Sequence, residues 1–370
     1  MNNRSIAAQD FLCAVTINAM IPLANERTLQ AAFYILRGRK ANQTLQDVHL
    51  YHLYPYYRMF PRFSKEDWEK IVSTLLQEEL IVQLPAVTPT SKPSFSITEE
   101  GIDQAEQWKS AFQLDRWNEP FTESGMAEKI ELFWQRLHLL VQTVSQLLSG
   151  DLGFFPVVSD KKIQQWVKTQ LASQTAREQW QKRLGEELHT LWSPLPEDVQ
   201  KLLIGQLSGA TQVGKTLGQL AAQQKESAFY LQLPFRYGLA MSILQLQEDP
   251  VRFPLLSHLV VQTEKWDTRL TESAARTYAL VQRGMSIEQI ADARKIKKST
   301  VEDHLAEIAL RCPEWDCSAY LEPKLSALII QTSEQLQTSR LRLIKDHLGE
   351  AVSYLQIRLA LARRQGERWT

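Results

Sequence analysis

The chain has 370 residues, and its 42 lysines and arginines balance 42 aspartates and glutamates, so the formal net charge is zero. Hydrophobic residues make up 44% and charged residues 23% of the sequence, which excludes a disordered or fibrous protein and a uniformly basic, histone-like nucleic-acid binder. This length predicts two or three domains, and any basic surface must be local.

The cysteines and the apolar N-terminal segment bear on compartment and cofactors. Residues 11–24 predict an amphipathic helix that is too short for a membrane span and, because Asp10 precedes it, unlike a signal peptide. Cys13, Cys312 and Cys317 cannot form an even disulfide framework, and no further pair at zinc-ligand spacing lies nearby. We therefore expect a cytoplasmic protein with reduced thiols, no metal site and no cofactor.

The N-terminal segment has the element order of a winged-helix module, namely three helices, a β-hairpin and a further helix. Ser64 is a favourable N-cap for the third helix, and Asp67 occupies the capping-box position. Residues 81–84 and 94–98 predict two short strands around a turn rich in Pro, Ser and Thr. The segment resembles the winged-helix part of RecQ-family helicases, in which a Trp-containing helix, here marked by Trp68, precedes a hairpin.

The charges of this module leave two interpretations open. The third helix and the turn after it carry five acids that repel phosphate: Glu66, Asp67, Glu69, Glu78 and Glu79. Only Lys92 places a positive charge on the hairpin. The module therefore either contacts DNA through its hairpin or third helix, or it binds protein alone.

An aromatic run lies between the second and third helices. Its members and the basic residues among them are His49, Tyr51, His52, Tyr54, Tyr56, Tyr57, Arg58, Phe60 and Arg62. Such a run fits packing into a core or an interface, and it also fits stacking of unpaired bases. No carboxylate or thiol joins the two histidines to complete a metal site.

The middle of the chain contains a phosphate-loop pattern without its usual context. From Gly209 to Thr216 the letters match G-x-x-x-x-G-K-[ST], in which backbone amides cradle phosphates and the lysine reaches the terminal phosphate. However, residues 196–207 predict a helix where a buried strand is needed, and no later strand ends in a metal-binding Asp. The pattern therefore predicts a turn between two helices, with a nucleotide-binding enzyme as the alternative.

The C-terminal part carries the pattern of a trihelical helix-turn-helix domain. A helix from Glu272 stops at Gly284, Ser286 and Gln289 form a capping box for the next helix, and a third helix starts at Lys298. The pattern resembles trihelical helix-turn-helix domains, including the LuxR-type output domains of transcription regulators.

The predicted DNA-binding residues surround the start of that third helix: Arg294, Lys295, Lys297, Lys298, Ser299, Thr300, Glu302 and Asp303. The cations lie where the helix dipole and free N–H groups already favour phosphate, and the two hydroxyls donate to backbone oxygens. Glu302 and Asp303 mainly repel DNA, apart from a cytosine contact. A protein-interaction helix-turn-helix is the alternative.

The end of the chain extends the resemblance. Residues 341–350 lead into a Ser-Tyr-x-x-Ile-Arg-Leu sequence that starts at Ser353. The helix-turn-helix with this tail resembles the domain appended to certain bacterial RecQ-type helicases, and the whole arrangement resembles the YpbB-like proteins of Firmicutes. The resemblance implies a RecQ-type helicase partner and a role in DNA repair or recombination.

We therefore predict a mainly α protein with three domains: a winged-helix-like module (1–119), a helical middle domain (120–267) and a helicase-type helix-turn-helix domain (268–370). No Ser/His/Asp or Cys/His set occurs at catalytic spacing, so we predict no enzymatic activity. The leading hypothesis is a DNA-binding accessory protein of a RecQ-type helicase. The alternative is a helix-turn-helix transcription regulator.

Overall fold

The computed structural model describes residues 8–85, 93–122, 124–150, 153–260 and 270–364. Over these residues the chain forms eighteen α-helices, two short 3-10 helices and one two-stranded sheet, which confirms the predicted mainly α class. None of the helices in these ranges is both long and apolar enough to cross a membrane.

The backbone contacts divide the chain into two compact units. Unit 1 comprises Met1–Val15, Gln107–Phe121 and Met126–Gln262, and unit 2 comprises Thr16–Glu106, Thr122–Gly125 and Thr263–Thr370. Most of the winged-helix-like segment and the C-terminal domain therefore belong to one unit. The three-domain division concerns which segments fold autonomously, and it stays a prediction; its boundary near residue 267 lies outside the described residues.

The N-terminal elements follow the predicted winged-helix order. They are α1 (Ala8–Met20), a 3-10 turn (Ile21–Leu23), α2 (Leu29–Arg37), α3 (Asn42–Leu50), α4 (Lys65–Gln77), β1 (Ile81–Gln83), β2 (Phe95–Ile97) and α5 (Glu99–Ala111). The two strands pair antiparallel, with Ile81 opposite Ile97. The Ser64 hydroxyl accepts from the Asp67 amide at 3.0 Å, which confirms the predicted cap of α4.

The first helix differs from its prediction. It is not amphipathic, because Phe11 and nearly every later residue of α1 is buried, while the residues before Phe11 are exposed. The half-buried Asn18 donates to the Ala105 carbonyl at 3.1 Å, so this polar side chain of α1 is satisfied inside the protein.

Helices α6 to α12 build unit 1 together with parts of α1 and α5. They are α6 (Leu114–Asn118), α7 (Met126–Ser149), α8 (Lys161–Gln170), α9 (Gln174–Trp192), α10 (Glu197–Gly205), α11 (Leu217–Gln224) and α12 (Ala228–Glu248), followed by a 3-10 helix (Leu256–Leu259). α12 lies at the centre of this unit. Its Gly238 faces α10, where an added Cβ would meet Val199 at 2.5 Å, so the missing side chain permits the close approach of the two helices.

The C-terminal elements are α13 (Glu272–Val281), α14 (Ile287–Arg294), α15 (Lys298–Arg311), α16 (Pro323–Gln335), α17 (Leu341–Leu348) and α18 (Tyr354–Arg363). Their shared core is built around Leu305, Ile308, Ile329, Ile344 and Ile357, all fully buried. Leu50 from α3 packs against this cluster, so the N-terminal segment contributes to the core of the C-terminal helices within unit 2.

Candidate nucleic-acid interface

The predicted helix-turn-helix forms from α13, α14 and α15. Ile290, Ala291 and Val301 are buried in a small core between α14 and α15. Ser286 and Gln289 form the predicted capping box, and Gly284 has a φ of +76°, a left-handed conformation suited to ending α13. These local features confirm the prediction made from the residue pattern.

Burial limits which part of α15 can contact a ligand. Every residue of α15 from His304 to Arg311 is buried, because α13, α14, α18 and α3 pack around this stretch. Lys298 and Ser299 are exposed, and Thr300, Glu302 and Asp303 are half-buried. The accessible surface is therefore the first turn of α15 and the turn before it, which is the end that helix-turn-helix domains direct at DNA.

Two of the predicted cations are free to meet an anion. Lys295 ends α14 with a φ of 53°, and Lys297 is the N-cap residue of α15. Both side chains are exposed, and neither forms an ion pair with a residue that the structure describes. The N-terminal end of α15 therefore carries two uncompensated positive charges next to its free backbone amides.

Lys298 is exposed but paired. Its ammonium lies 3.0 Å from the Glu288 carboxylate, and this hydrogen bond lowers the pKa of Glu288. Both side chains are largely solvated, so the pair is weak and easily exchanged for a phosphate contact. Lys298 therefore adds to the basic end of α15 only when DNA displaces Glu288.

Arg294 points into the domain and not toward a ligand. Its guanidinium donates to the Ser273 carbonyl at 2.7 Å and to the Thr277 hydroxyl, and it lies 3.3 Å from Nδ1 of His304. Thr277 and His304 are buried, and Oγ1 of Thr277 lies 2.8 Å from Nδ1 of His304. Because arginine only donates, Nδ1 of His304 accepts and the ring is neutral. Burial lowers the pKa of His304, and the charge of Arg294 lowers it further. Arg294 thus joins α13, α14 and α15.

Asp303 is neutralised by an arginine outside the predicted DNA-binding residues. Arg358 on α18 reaches the Asp303 carboxylate at 2.6 Å, across 55 residues of sequence. Arg358 is the arginine of the C-terminal tail that carried the family resemblance, so the sequence contained a clue to it. Glu302 has no ion-pair partner within the described ranges, and it is the one predicted acid that still opposes phosphate there.

The phosphate-loop pattern is a helix–helix connection, as predicted. It joins α10 to α11, and Thr216 caps α11 through a capping box with Gln219. The amides of its last glycine and of its lysine already have protein acceptors: that of Gly214 donates to the Ser208 hydroxyl at 3.0 Å, and that of Lys215 donates to the Gly205 carbonyl at 2.8 Å. An added Cβ at Gly214 would lie 2.0 Å from the Gln206 carbonyl, so this glycine serves packing.

The aromatic run is used mainly for packing. Tyr57 and Phe60 are buried, and Tyr51, Tyr54 and Tyr56 are half-buried. The acids of α4 remain on the surface or half-buried, and Lys92 lies outside the described residues. In the described part of the chain, no three His, Cys, Asp or Glu side chains are grouped to hold a metal ion.

Comparison with known proteins agrees with the geometry of the C-terminal part. Residues 273–361 match a family model described as a helix-turn-helix domain. The chain contains a helix-turn-helix domain. The match runs from α13 into α18, so the family pattern includes the tail helix that supplies Arg358 as well as the three helices of the helix-turn-helix.

The similarity to a curated protein extends over nearly the whole chain. Over 365 residues, 98% of this chain and 98% of the relative, the sequence is 27% identical to Protein YpbB of Bacillus subtilis (strain 168). The predicted resemblance to YpbB-like proteins is therefore confirmed. No solved structure matches the chain.

Proposed function

We propose that the chain is a DNA-binding accessory protein that recruits or positions a RecQ-type helicase in DNA repair or recombination, without catalysis of its own. The observation that carries the DNA-binding part is the exposed, unpaired Lys295 and Lys297 at the start of α15 in a helix-turn-helix domain. The helicase partner is supported by the resemblance of the C-terminal domain and tail to those of RecQ-type helicases.

The charges favour modest, sequence-tolerant binding over tight recognition of an operator. Two free cations and the exchangeable Lys298 provide about three phosphate contacts, and such contacts position a protein without reading bases. Base readout would fall to the first turn of α15, where Glu302 faces phosphate unfavourably and Asp303 is held by Arg358. A partner that adds DNA affinity or helicase activity would complement such modest DNA binding.

The DNA-binding half is tested with the full chain and a fluorescent 25-base-pair duplex at several salt concentrations. We expect the Lys295→Gln/Lys297→Gln variant to bind more weakly, with the slope of log K against log[salt] reduced by about 1.8, or roughly 0.9 for each phosphate contact. Lys70→Gln/Lys324→Gln is the matched control, since both lysines are exposed in the same unit. An unchanged slope in the first variant removes α15 from the interface.

The partnership is tested separately with the purified RecQ-type helicase of the same organism. We expect the chain to bind the immobilised helicase and to change its unwinding of a forked DNA at limiting enzyme. Absence of both effects overturns the partnership and leaves DNA binding intact. Selection from a randomised duplex pool distinguishes the accessory protein from the alternative, a helix-turn-helix transcription regulator. A transcription regulator would enrich one short sequence motif.

A further inference from the structure

A second basic surface lies on the N-terminal segment of unit 2. Between residues 28 and 63 the sequence has five lysines and arginines but a single acid, Asp47. Asp47 is buried and bound by Arg27 at 2.7 Å, so it compensates none of the five. Four of them form what we call the N-terminal basic patch: Arg37, Arg39, Lys40 and Arg62, all exposed.

Backbone contacts bring the two halves of this patch together. The Arg58 amide donates to the Ile35 carbonyl and the Phe60 amide donates to the Leu36 carbonyl, both at 2.9 Å, so the segment leading to Arg62 lies against the last turn of α2. Gly38 makes this possible, because it has a φ of +72° and an added Cβ would lie 2.4 Å from Cβ of Arg58.

Aromatic contacts hold two of the four side chains of the patch, those of Arg37 and Arg39. The Phe33 ring lies 6.1 Å from the ring of Phe63 and 5.4 Å from the Arg37 guanidinium. Since Phe63 directly follows Arg62, this ring connects the two halves of the patch. The Arg39 guanidinium lies 4.3 Å from the centre of the Tyr34 ring, and a stacked guanidinium presents its other face to a further flat group.

A structural role does not account for all four cations. A positive charge in the last turn of a helix is favoured by the helix dipole, and this explains Arg37 at the end of α2. Lys40 and Arg62 lie outside any helix. None of the four forms an ion pair with a residue in the described ranges, although other basic residues of the same unit do so, for example Lys65 with Glu69.

We propose that the N-terminal basic patch binds single-stranded nucleic acid. Clustered cations attract the phosphate backbone, and guanidinium groups held on aromatic rings stack on unpaired bases. Three of the four cations lie outside any helix or strand, and Arg37 is the last residue of α2, so the patch does not present the face of a helix to a duplex groove. Single-strand binding by the patch does not depend on the proposed function. Only the next step does: if α15 binds a duplex as proposed, the natural ligand of unit 2 is a junction between duplex and single strand.

The test uses the full chain and three labelled ligands: a dT20 strand, a blunt 25-base-pair duplex, and that duplex with a dT20 tail. The patch variant is Arg37→Gln/Arg39→Gln/Lys40→Gln/Arg62→Gln. Its control, with the same change in charge, is Lys65→Gln/Lys70→Gln/Lys324→Gln/Arg342→Gln, four exposed cations of the same unit. Circular dichroism and a thermal melt verify that both variants fold.

We expect the patch variant to lose at least about tenfold in affinity for dT20 and for the tailed duplex. Its salt slope on dT20 should fall by roughly 2.8, or about 0.7 for each of four phosphate contacts. Affinity for the blunt duplex should change no more than in the control. The Lys295→Gln/Lys297→Gln variant should lose affinity for the blunt duplex and for the tailed duplex and keep its affinity for dT20, so failure of one surface is distinguished from failure of the other.

Three results overturn this assignment. One is dT20 binding by the wild-type chain that the patch variant retains. Another is equal loss in the patch and control variants, which indicates a general charge effect. The third is failure to bind dT20 together with saturable, patch-dependent binding of a polyglutamate peptide, which assigns the surface to an acidic protein.

Discussion

The carboxylate of Glu26 connects the N-terminal segment of unit 2 to the loop before α17, and its removal should destabilise that unit. It accepts hydrogen bonds from the Thr338 hydroxyl at 3.0 Å, the Ser339 amide at 3.1 Å and the Tyr51 hydroxyl at 3.3 Å. Arg340 adds a bond at 3.1 Å to the backbone carbonyl of Glu26, and this bond does not depend on the side chain.

The burial of these donors determines how much the free energy of unfolding falls when Glu26 is replaced. Thr338 and Ser339 are each only 4% exposed, so alanine at position 26 leaves two buried donors without their acceptor. Each loss costs about 1–3 kcal/mol, and the longer Tyr51 bond adds little. We therefore expect Glu26→Ala to lower the free energy of unfolding by about 3 kcal/mol. Glu26→Gln, which keeps one acceptor oxygen, should cost about 1 kcal/mol.

The assay is thermal and urea unfolding of the full chain followed by circular dichroism. At roughly 2–4 °C per kcal/mol for a unit of this size, Glu26→Ala should lower the melting temperature of unit 2 by about 6–12 °C. Glu350→Ala is the control, since that side chain is 99% exposed. A Glu26→Ala protein that melts with the wild type would refute the argument that this contact holds the unit together.

Two further predictions concern buried groups, His304 and Glu187, and a third concerns the phosphate-loop pattern. Burial lowers the pKa of His304, so below about pH 6.5 the unfolded chain binds more protons than the folded chain. The contribution of His304 to the free energy of unfolding should therefore be constant above pH 7 and fall toward pH 5. Urea midpoints measured across this range should fall less for His304→Gln than for the wild type. Glu187 accepts from the Leu255 amide at 3.1 Å and from the next amide at 3.0 Å, so Glu187→Ala should cost about 2–4 kcal/mol, while the exposed neighbour in Glu186→Ala should cost less than about 0.5 kcal/mol. Calorimetric titration with Mg-ATP should show no saturable binding that Lys215→Ala removes, because the loop joins two helices and the amides of Gly214 and Lys215 are bonded within the protein.

Much of the local structure could be predicted because its bonds join residues close in sequence. The predicted caps at Ser64 and Ser286 each involve a residue three positions later, and both are observed. Local signals also predicted that the phosphate-loop pattern is a turn, since a proline, acids in the first turn and apolar spacing indicate a helix before it. The order of three helices, a hairpin and a helix was predicted for the same reason.

The start of α2 shows where local rules stop. The sequence predicts a helix over residues 26–37, but α2 begins at Leu29. Just before it, Asn25 adopts a φ of 62° and donates its amide to the Phe95 carbonyl of β2 at 2.8 Å. Glu26 itself is held by residues more than 300 positions later. No window of neighbouring residues contains those partners.

Tertiary structure alone decided the direction of each charged side chain at the candidate interface. Sequence placed Arg294 and Lys295 in one basic cluster, yet packing turns Arg294 toward Ser273 and leaves Lys295 in solvent. It also pairs Asp303 with Arg358, so an acid expected to repel DNA is compensated. Helix periodicity states which face is apolar, whereas the partner of an individual charge depends on which distant helix lies a few ångströms away.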